Sequence, residues 1–335
     1  MDIIHADASL AEIGFINDVE NYDGEISQEL DAEIHKNSFS LSLSELTWEA
    51  DPIERGHYVY IPGTEFGGCV EQIQHSTLRR LVIVSGVTWR GMLHRKIIEP
   101  ASGTDYFTVT ATEANAAIAS VVGSSLGPLF TVSAASSGIT ITSKQFRYTR
   151  LLHGLEDMLD EEGAALQLTF DQATKLVTMS ARAVVDYSST IDLSQDYGAD
   201  MVTTEGGFDR YNHVIALGSG ELAARDILHV YRLASGGVTT SPPAWAGTEE
   251  DWVTTYEFTN PETVAILQSG AEKRVREFTP LKQVEIDPSI AGLDLQLGDI
   301  VGARDRLTGM VGTAVVVGKI LTINAGGIRL ETRVK

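Results

Sequence analysis

The sequence holds a single cysteine, Cys69, in 335 residues. One thiol cannot close an internal disulfide, and no Cys-based zinc or iron–sulfur site can be built from it. Basic residues are outnumbered: 25 Lys and Arg face 46 Asp and Glu, a formal net charge of -21. Nucleic-acid binding needs a basic footprint, so stable binding of DNA or RNA is not expected. The same charge repels anionic membranes. No apolar run approaches the roughly 18 residues of a spanning helix, so no membrane insertion is expected. The N-terminal MDIIHADASLAEIG lacks a basic n-region and an apolar h-region, and no secretory signal is expected.

Catalytic spacings are missing too. His5, His35, His57, His75, His94, His153, His213 and His229 show no His-x-x-x-His and no His-Glu-x-x-His, which disfavours a zinc hydrolase. Gly-x-Ser-x-Gly is absent. A glycosidase needs two facing carboxylates, and 46 acidic residues nominate no pair. Val214–Leu217 followed by Gly218-Ser219-Gly220-Glu221-Leu222-Ala223 imitates a dinucleotide fingerprint. That chemistry needs a helix N-terminus facing the pyrophosphate. Here Ile227–Leu233 reads as the next strand, so a Gly-rich hairpin loop is expected. His153, near Glu156 and Asp157, reads as a helix-surface histidine. Glu156, Asp157, Asp160, Glu161 and Glu162 read as a solvated helix face, and Cys69 as a buried, inert thiol. No catalytic, cofactor-binding or metal-binding residue is assigned, and the chain is not expected to be an enzyme.

What is present is ordinary for a folded chain: 43% hydrophobic and 21% charged residues, with 31 glycines and 9 prolines. Many short strands with tight turns fit that mixture. Phe39–Leu43 alternates strictly, as a half-buried strand does. His57–Ile61 ends at Pro62-Gly63, and strands at Cys69–Ile73 and Leu81–Val87 follow. The first domain, 1–100, is expected to be a small β-barrel.

Residues 101–205 change character into a central α+β insertion. Thr110-Ala111-Thr112-Glu113 has the capping-box pattern ahead of an Ala-rich helix, Ala114–Val122. A second helix, capped by Thr149, carries the stripe Leu151, Leu152, Leu155, Met158 and Leu159, with Gly163 beyond its end. The hairpin Leu166–Phe170 and Leu176–Met179 follows. From 206 to 335 the chain returns to β, and a second β-barrel is expected. Loop 234–248, rich in Gly, Pro, Ser and Thr, is expected to be mobile, with Trp245 as a partner-contact anchor. A helix capped by Asn260, with Pro261 and Glu262 in its first turn, runs to about Glu277. Asp287, Asp294 and Asp299 are too scattered for a calcium loop.

A weak repeat links the two ends. Gly56–Tyr60 matches Gly298–Gly302, Ile73 matches Ile320, and Leu81 matches Ile328. Two readings stay open: unrelated meanders of like composition, or a duplicated barrel flanking the central insertion. The expected class is mainly β with α+β insertions.

The run Leu295–Asp305, with the closing hairpin after Gly309 and Thr313–Val317, resembles a recurrent segment of tail-hub proteins of long, non-contractile-tailed phages. Asn37–Leu43, Gly56–Ile61, Glu65–Ile73 and Val84–Ile98 keep that family's N-terminal order. Leu151–Gly163 and its hairpin resemble its inner domain, so the resemblance covers nearly the whole chain. It implies a structural virion protein: a homotrimeric ring at the tail tip, two similar barrels per subunit, and a channel for DNA. It implies as partners the distal tail ring protein, the end of the tape-measure protein and tip fibres or receptor-binding proteins. It implies synthesis in the host cytoplasm and no cofactor. The chain stops at Lys335 after its last predicted strand, as a bare hub would. The alternative is a peptidoglycan- or carbohydrate-acting hydrolase or binding module. Acidic barrel loops at Asp51, Glu54, Asp299 and Asp305 are candidates to line the channel, where like charge avoids phosphate contacts.

Overall fold

A computed structural model describes residues 2–28, 34–123, 125–193, 201–205, 211–233, 235, 237–258, 264–277, 282–286, 295–304, 307, 309 and 311–334. The fold is mainly β with a few helices. The chain forms two compact units, Met1–Met201 with Glu285–Lys335, and Val202–Val284. Residues 101–200 and 285–335 thus lie in one unit with 1–100.

The first seven strands are β1 (Ile3–Ala6), β2 (Glu12–Ile16), β3 (Val19–Ser27), β4 (Ser38–Ser44), β5 (Tyr58–Tyr60), β6 (Gly67–Ser76) and β7 (Leu81–Thr88). The alternation read in the sequence is obeyed: β4 buries Phe39, Leu41 and Leu43 and turns its serines to the other face. Ser44 then caps α1 (Glu45–Ala50), and Thr88 caps α2 (Trp89–His94), each hydroxyl accepting a backbone N–H.

The insertion carries three short ladders: β8 (Ile97–Ile98) with β14 (Thr149–Arg150), β9 (Phe107–Val109) with β13 (Lys144–Phe146), and β10 (Thr112–Glu113) with β12 (Thr140–Ile141). These ladders move both helix starts. Thr112 and Glu113 stay extended against β12, so Glu113 rather than Thr110 caps α3 (Ala114–Val122), its carboxylate accepting Ala116 N–H at 3.1 Å. Thr149 pairs with Ile98, so α4 (Leu151–Asp160) starts after Arg150 without a side-chain cap. β11 (Phe130–Val132), β16 (Leu176–Ala183) and β15 (Ala164–Asp171) form a three-stranded sheet in that order. The leucine stripe of α4 is buried as expected. Trp89 stacks on Phe170 at 5.2 Å, and Tyr60 lies 4.5 Å from the same ring. These rings join the large sheet to the helical layer in one apolar core.

After β17 (Asp192–Leu193), β18 (Met201–Glu205) pairs with β23 (Lys282–Ile286). Most of this pair belongs to the second unit, which also holds β19 (His213–Leu217), β20 (Ile227–Arg232), β21 (Val238–Thr239), β22 (Val253–Glu257) and α5 (Val264–Glu277). The sheet order is β21-β20-β19-β22. Val214, Ala216 and Val230 pack against Leu267, Ala271 and Val275, which recur on one face of α5. The expected cap at Asn260 to Glu262 lies outside the described residues.

The chain ends in β24 (Ile300–Arg304), β25 (Val311–Asn324) and β26 (Gly327–Val334). The large sheet has eleven strands in the order β17-β24-β25-β3-β4-β7-β6-β5-β1-β2, with β26 also on β25. The repeat is therefore real as architecture: β5-β6-β7 and β24-β25-β26 are both consecutive meanders. Gly56 at φ +87° and Gly298 at φ +90° open them, in a backbone region that suits glycine. Gly56 N–H donates to Val70 O at 2.9 Å and Val70 N–H to His57 O at 2.8 Å; Gly298 and Asp299 exchange the same two bonds with Val316, at 2.7 and 2.8 Å. Both middle strands then shift register, between Val70 and Gln72 and between Val316 and Gly318. These shared bulges set Ile73 against Lys319 and Leu81 against Arg329, one residue from the match read in the sequence.

Among the described residues the two β regions expected as barrels share one sheet. β3 pairs with β4 on one edge and β25 on the other, so both meanders belong to one sheet. Among the described residues no pairing closes either half into a ring.

Candidate functional site

The four acidic channel candidates have different surroundings. Asp51 ends α1, half-buried, with both oxygens 3.0 Å from His5 Nδ1. His5 is fully buried in β1, and its Nε2 lies 2.8 Å from His57 Nδ1, which also accepts Glu54 N–H at 3.3 Å. The Glu54 carboxylate is exposed, 3.9 Å from His57 Nε2. Asp299 is 1% exposed and takes in the second meander the place of His57 in the first. It accepts from Arg182 Nη1 at 2.8 Å, Gln296 N–H at 2.8 Å and Val185 N–H at 3.2 Å. Buried and paired, its carboxylate cannot line a channel wall, which corrects that expectation. Asp305 lies outside the described residues, as do Asp287 and Asp294.

The second unit holds a second Asp–His–His chain. His213 Nδ1 lies 2.8 Å from Asp251 Oδ1, and its Nε2 2.8 Å from His229 Nδ1. Tyr231 stacks on His213 at 4.2 Å, and Trp245 meets Tyr231 edge-on at 5.8 Å. Gly247 N–H donates to Asp251 Oδ2 at 2.7 Å, so the glycine-rich loop is tied back to this cluster. Both chains share one device: an inner histidine reaches diagonally to a residue two before its antiparallel partner. His5 pairs with Val59 and meets His57; His213 pairs with Tyr231 and meets His229. No local spacing announces this, because strand pairing brings together residues remote in sequence. A carboxylate that orients an imidazole can serve proton transfer. Among the described residues, however, no hydroxyl or thiol bonds either outer histidine, and no three His, Cys, Asp or Glu side chains are grouped for a metal.

A third cluster is buried. Arg90, 1% exposed on α2, donates through Nε to Glu65, through Nη1 to Glu156 Oε1 at 2.8 Å, and through Nη2 to Leu166 O at 2.6 Å. Glu156 is thus a buried member of α4, not part of a solvated face; Asp157 and Glu161 do lie outward, sharing Lys144. Burial pushes the Glu156 carboxyl up to about 8, against the opposing pull of Arg90. Burial also raises Glu65. One guanidinium faces two carboxylates here. His153 is half-buried on the same helix. The Gly218–Ala223 segment is the β19–β20 loop, ending in a single 3₁₀ turn at Leu222–Ala224. That turn supplies no helix to face a phosphate.

An open groove of 710 Å³ lies where β5 ends and β6 runs on, lined by Arg55, Gly56, Cys69, Val70, Glu71, Gln72 and Arg95. Arg95 and Glu71 form a two-point ion pair at its rim. Cys69 is half-buried, and burial raises its thiol, which disfavours the reactive thiolate.

No family model and no curated protein matches the sequence. Solved structures share the fold along the whole chain. A tail protein from Neisseria meningitidis MC58 matches 100% of this chain and 96% of its own, at 15% identity and a TM-score of 0.56. The 43 kDa tail protein of prophage MuSo2 from Shewanella oneidensis matches 100% and 98%, at 14% identity and 0.58. A prophage tail protein from Listeria monocytogenes EGD-e matches 100% and 94%, at 11% identity and 0.55. At these identities the likeness is one of fold.

Proposed function

We propose that the chain is a structural protein of a phage tail: the homotrimeric, ring-shaped hub at the tip of a long non-contractile tail, with a channel for DNA and no catalytic activity. The observation that carries this reading is the duplicated meander, with the same glycine anchor and the same bulge in both copies. Three copies then present six equivalent elements to a hexameric ring, and a heterologous interface closes them. The full-length likeness in fold to three tail proteins supports the same reading. Its partners are the distal tail ring protein, the end of the tape-measure protein and tip fibres or receptor-binding proteins, and its place is the virion tail tip. The surplus of acid suits a wall that DNA passes without binding. Glu54, exposed, is the strongest wall candidate, with Asp51 beside it; Trp245, half-exposed on its loop, is the candidate contact to a neighbour.

Light scattering of the purified chain tests the proposal. The expected mass is three times 36.2 kDa, with a ring and central hole in negative stain. A monomer at every concentration, with no ring on mixing with tail partners, overturns it.

A further inference from the structure

We infer that the outer edge of β6, from Glu71 to Ser76, accepts a strand from a second copy of this chain. The inference rests on the trimeric hub reading and names the contact that closes the ring. The shared anchors align the two meanders: Gly56 with Gly298 and Val70 with Val316, hence Glu71, Gln72 and Ile73 with Val317, Gly318 and Lys319. In the second meander this stretch is covered. β3 runs antiparallel along it from Ser27 opposite Gly318 to Asn21 opposite Asn324. Beyond the ladder, Gln28 N–H donates to Val317 O at 2.9 Å and Ser27 Oγ to the same oxygen at 3.2 Å.

In the first meander no described strand covers the equivalent edge. The β5 ladder ends with Tyr58 opposite Cys69, while β6 continues to Ser76. Gln72, Gln74 and His75 are exposed, and no described strand pairs with that edge. The groove of 710 Å³ opens at this point, and Glu71 and Gln72 in its lining are the counterparts of Val317 and Gly318, which receive the end of β3. Arg55 flanks it, and Arg95 is held at its rim by Glu71. Unpaired edges recruit strands, because their N–H and C=O groups are left to water.

Chain order names the strand. The pair β3·β4 precedes the first meander, and the pair β18·β23 precedes the second. β18 of a neighbouring copy therefore stands to β6 as β3 stands to β25 within a copy. Each copy offers one such edge and one such strand, a head-to-tail contact that closes into a ring.

Cross-linking of the full-length chain tests this contact. Cys69→Ser removes the native thiol, and Gln74→Cys is combined in turn with one cysteine at each of the 5 residues of β18. Mild oxidation is expected to give, for at least one pair, a ladder ending at three chains. The same link should join differently tagged chains that carry one cysteine each. Light scattering on the same samples separates the failures. A trimer that links at none of these positions overturns the contact and leaves the hub reading standing. A monomer at every concentration overturns both. A link confined within one chain also overturns the contact.

Discussion

Glu156 shows what one buried carboxyl does to the molecule. A glutamate in an unfolded chain titrates near 4.3, whereas burial beside Glu65 lifts Glu156 to about 8 in the fold, with Arg90 pulling the other way. The folded form therefore holds a proton that the unfolded form releases. Its stabilisation is complete below the unfolded value and is lost as pH rises through the folded one. Melting temperatures of the wild-type chain should fall between about pH 5 and about pH 8. Glu156→Gln, which keeps an oxygen for Arg90 and cannot ionise, should flatten that slope; parallel slopes would contradict the assignment. Arg90→Ala strips a buried cation bonded to both Glu65 and Glu156 and should cost roughly 3–5 kcal/mol in urea unfolding. Neither Glu156→Gln nor His153→Ala should change peptidoglycan turnover, which is expected to be absent from the parent protein. Turnover abolished by either one would place the chain among hydrolases.

The meanders give matched tests among their elements. A Cβ at Gly56 meets open space, so Gly56→Ala should cost only the backbone strain at φ +87°, about 1–3 kcal/mol. At Gly298 the same φ is combined with Ala165 at 2.9 Å, and Gly298→Ala should cost more. Gly68→Ala would drive a Cβ to 1.8 Å from Val87 O and should prevent β6 and β7 from pairing as they do. Denaturation midpoints of the three variants should fall in that order, and equal losses would argue against contact as the cause. Loop 234–248 belongs to the same scale. Val238 and Thr239 within it pair with β20 as β21, and beyond them Trp245 on Tyr231 and Gly247 on Asp251 tie it back. Limited proteolysis should cut there first. Trp245→Ala should speed that cut several-fold, and a first cut elsewhere in both proteins would refute this.

Across the whole molecule, charge opposes assembly. Each chain carries -21, and the proposed ring would concentrate three such charges. Salt screens their repulsion over about 8–10 Å near physiological strength. Trimer formation should therefore strengthen as monovalent salt rises from low to moderate values, measured by sedimentation at fixed protein concentration. Weakening over that range would show that attraction between unlike charges, rather than burial and strand pairing, holds the ring. Lys and Arg dominating the channel wall would contradict the acidic-lumen reading even for a correct trimer.

The sequence by itself determined the elements whose side chains repeat at short range. Phe39–Leu43 alternates because β4 has one buried face, and Leu151–Leu159 recurs because α4 has one buried stripe. The hairpins, the glycine anchors and the mainly β class follow from the same local patterns. Only the tertiary structure decided what remote residues do to one another. It made Glu113 a cap by holding it in a ladder with β12, and it drew Glu156 inward to meet Arg90. It joined the two meanders in one sheet by laying β3 along β25, and it assembled both Asp–His–His chains. Periodicity records which face of an element is buried. Which strand lies beside it, and in what register, depends on hydrogen bonds that any backbone can make, so sequence pattern leaves that choice to packing.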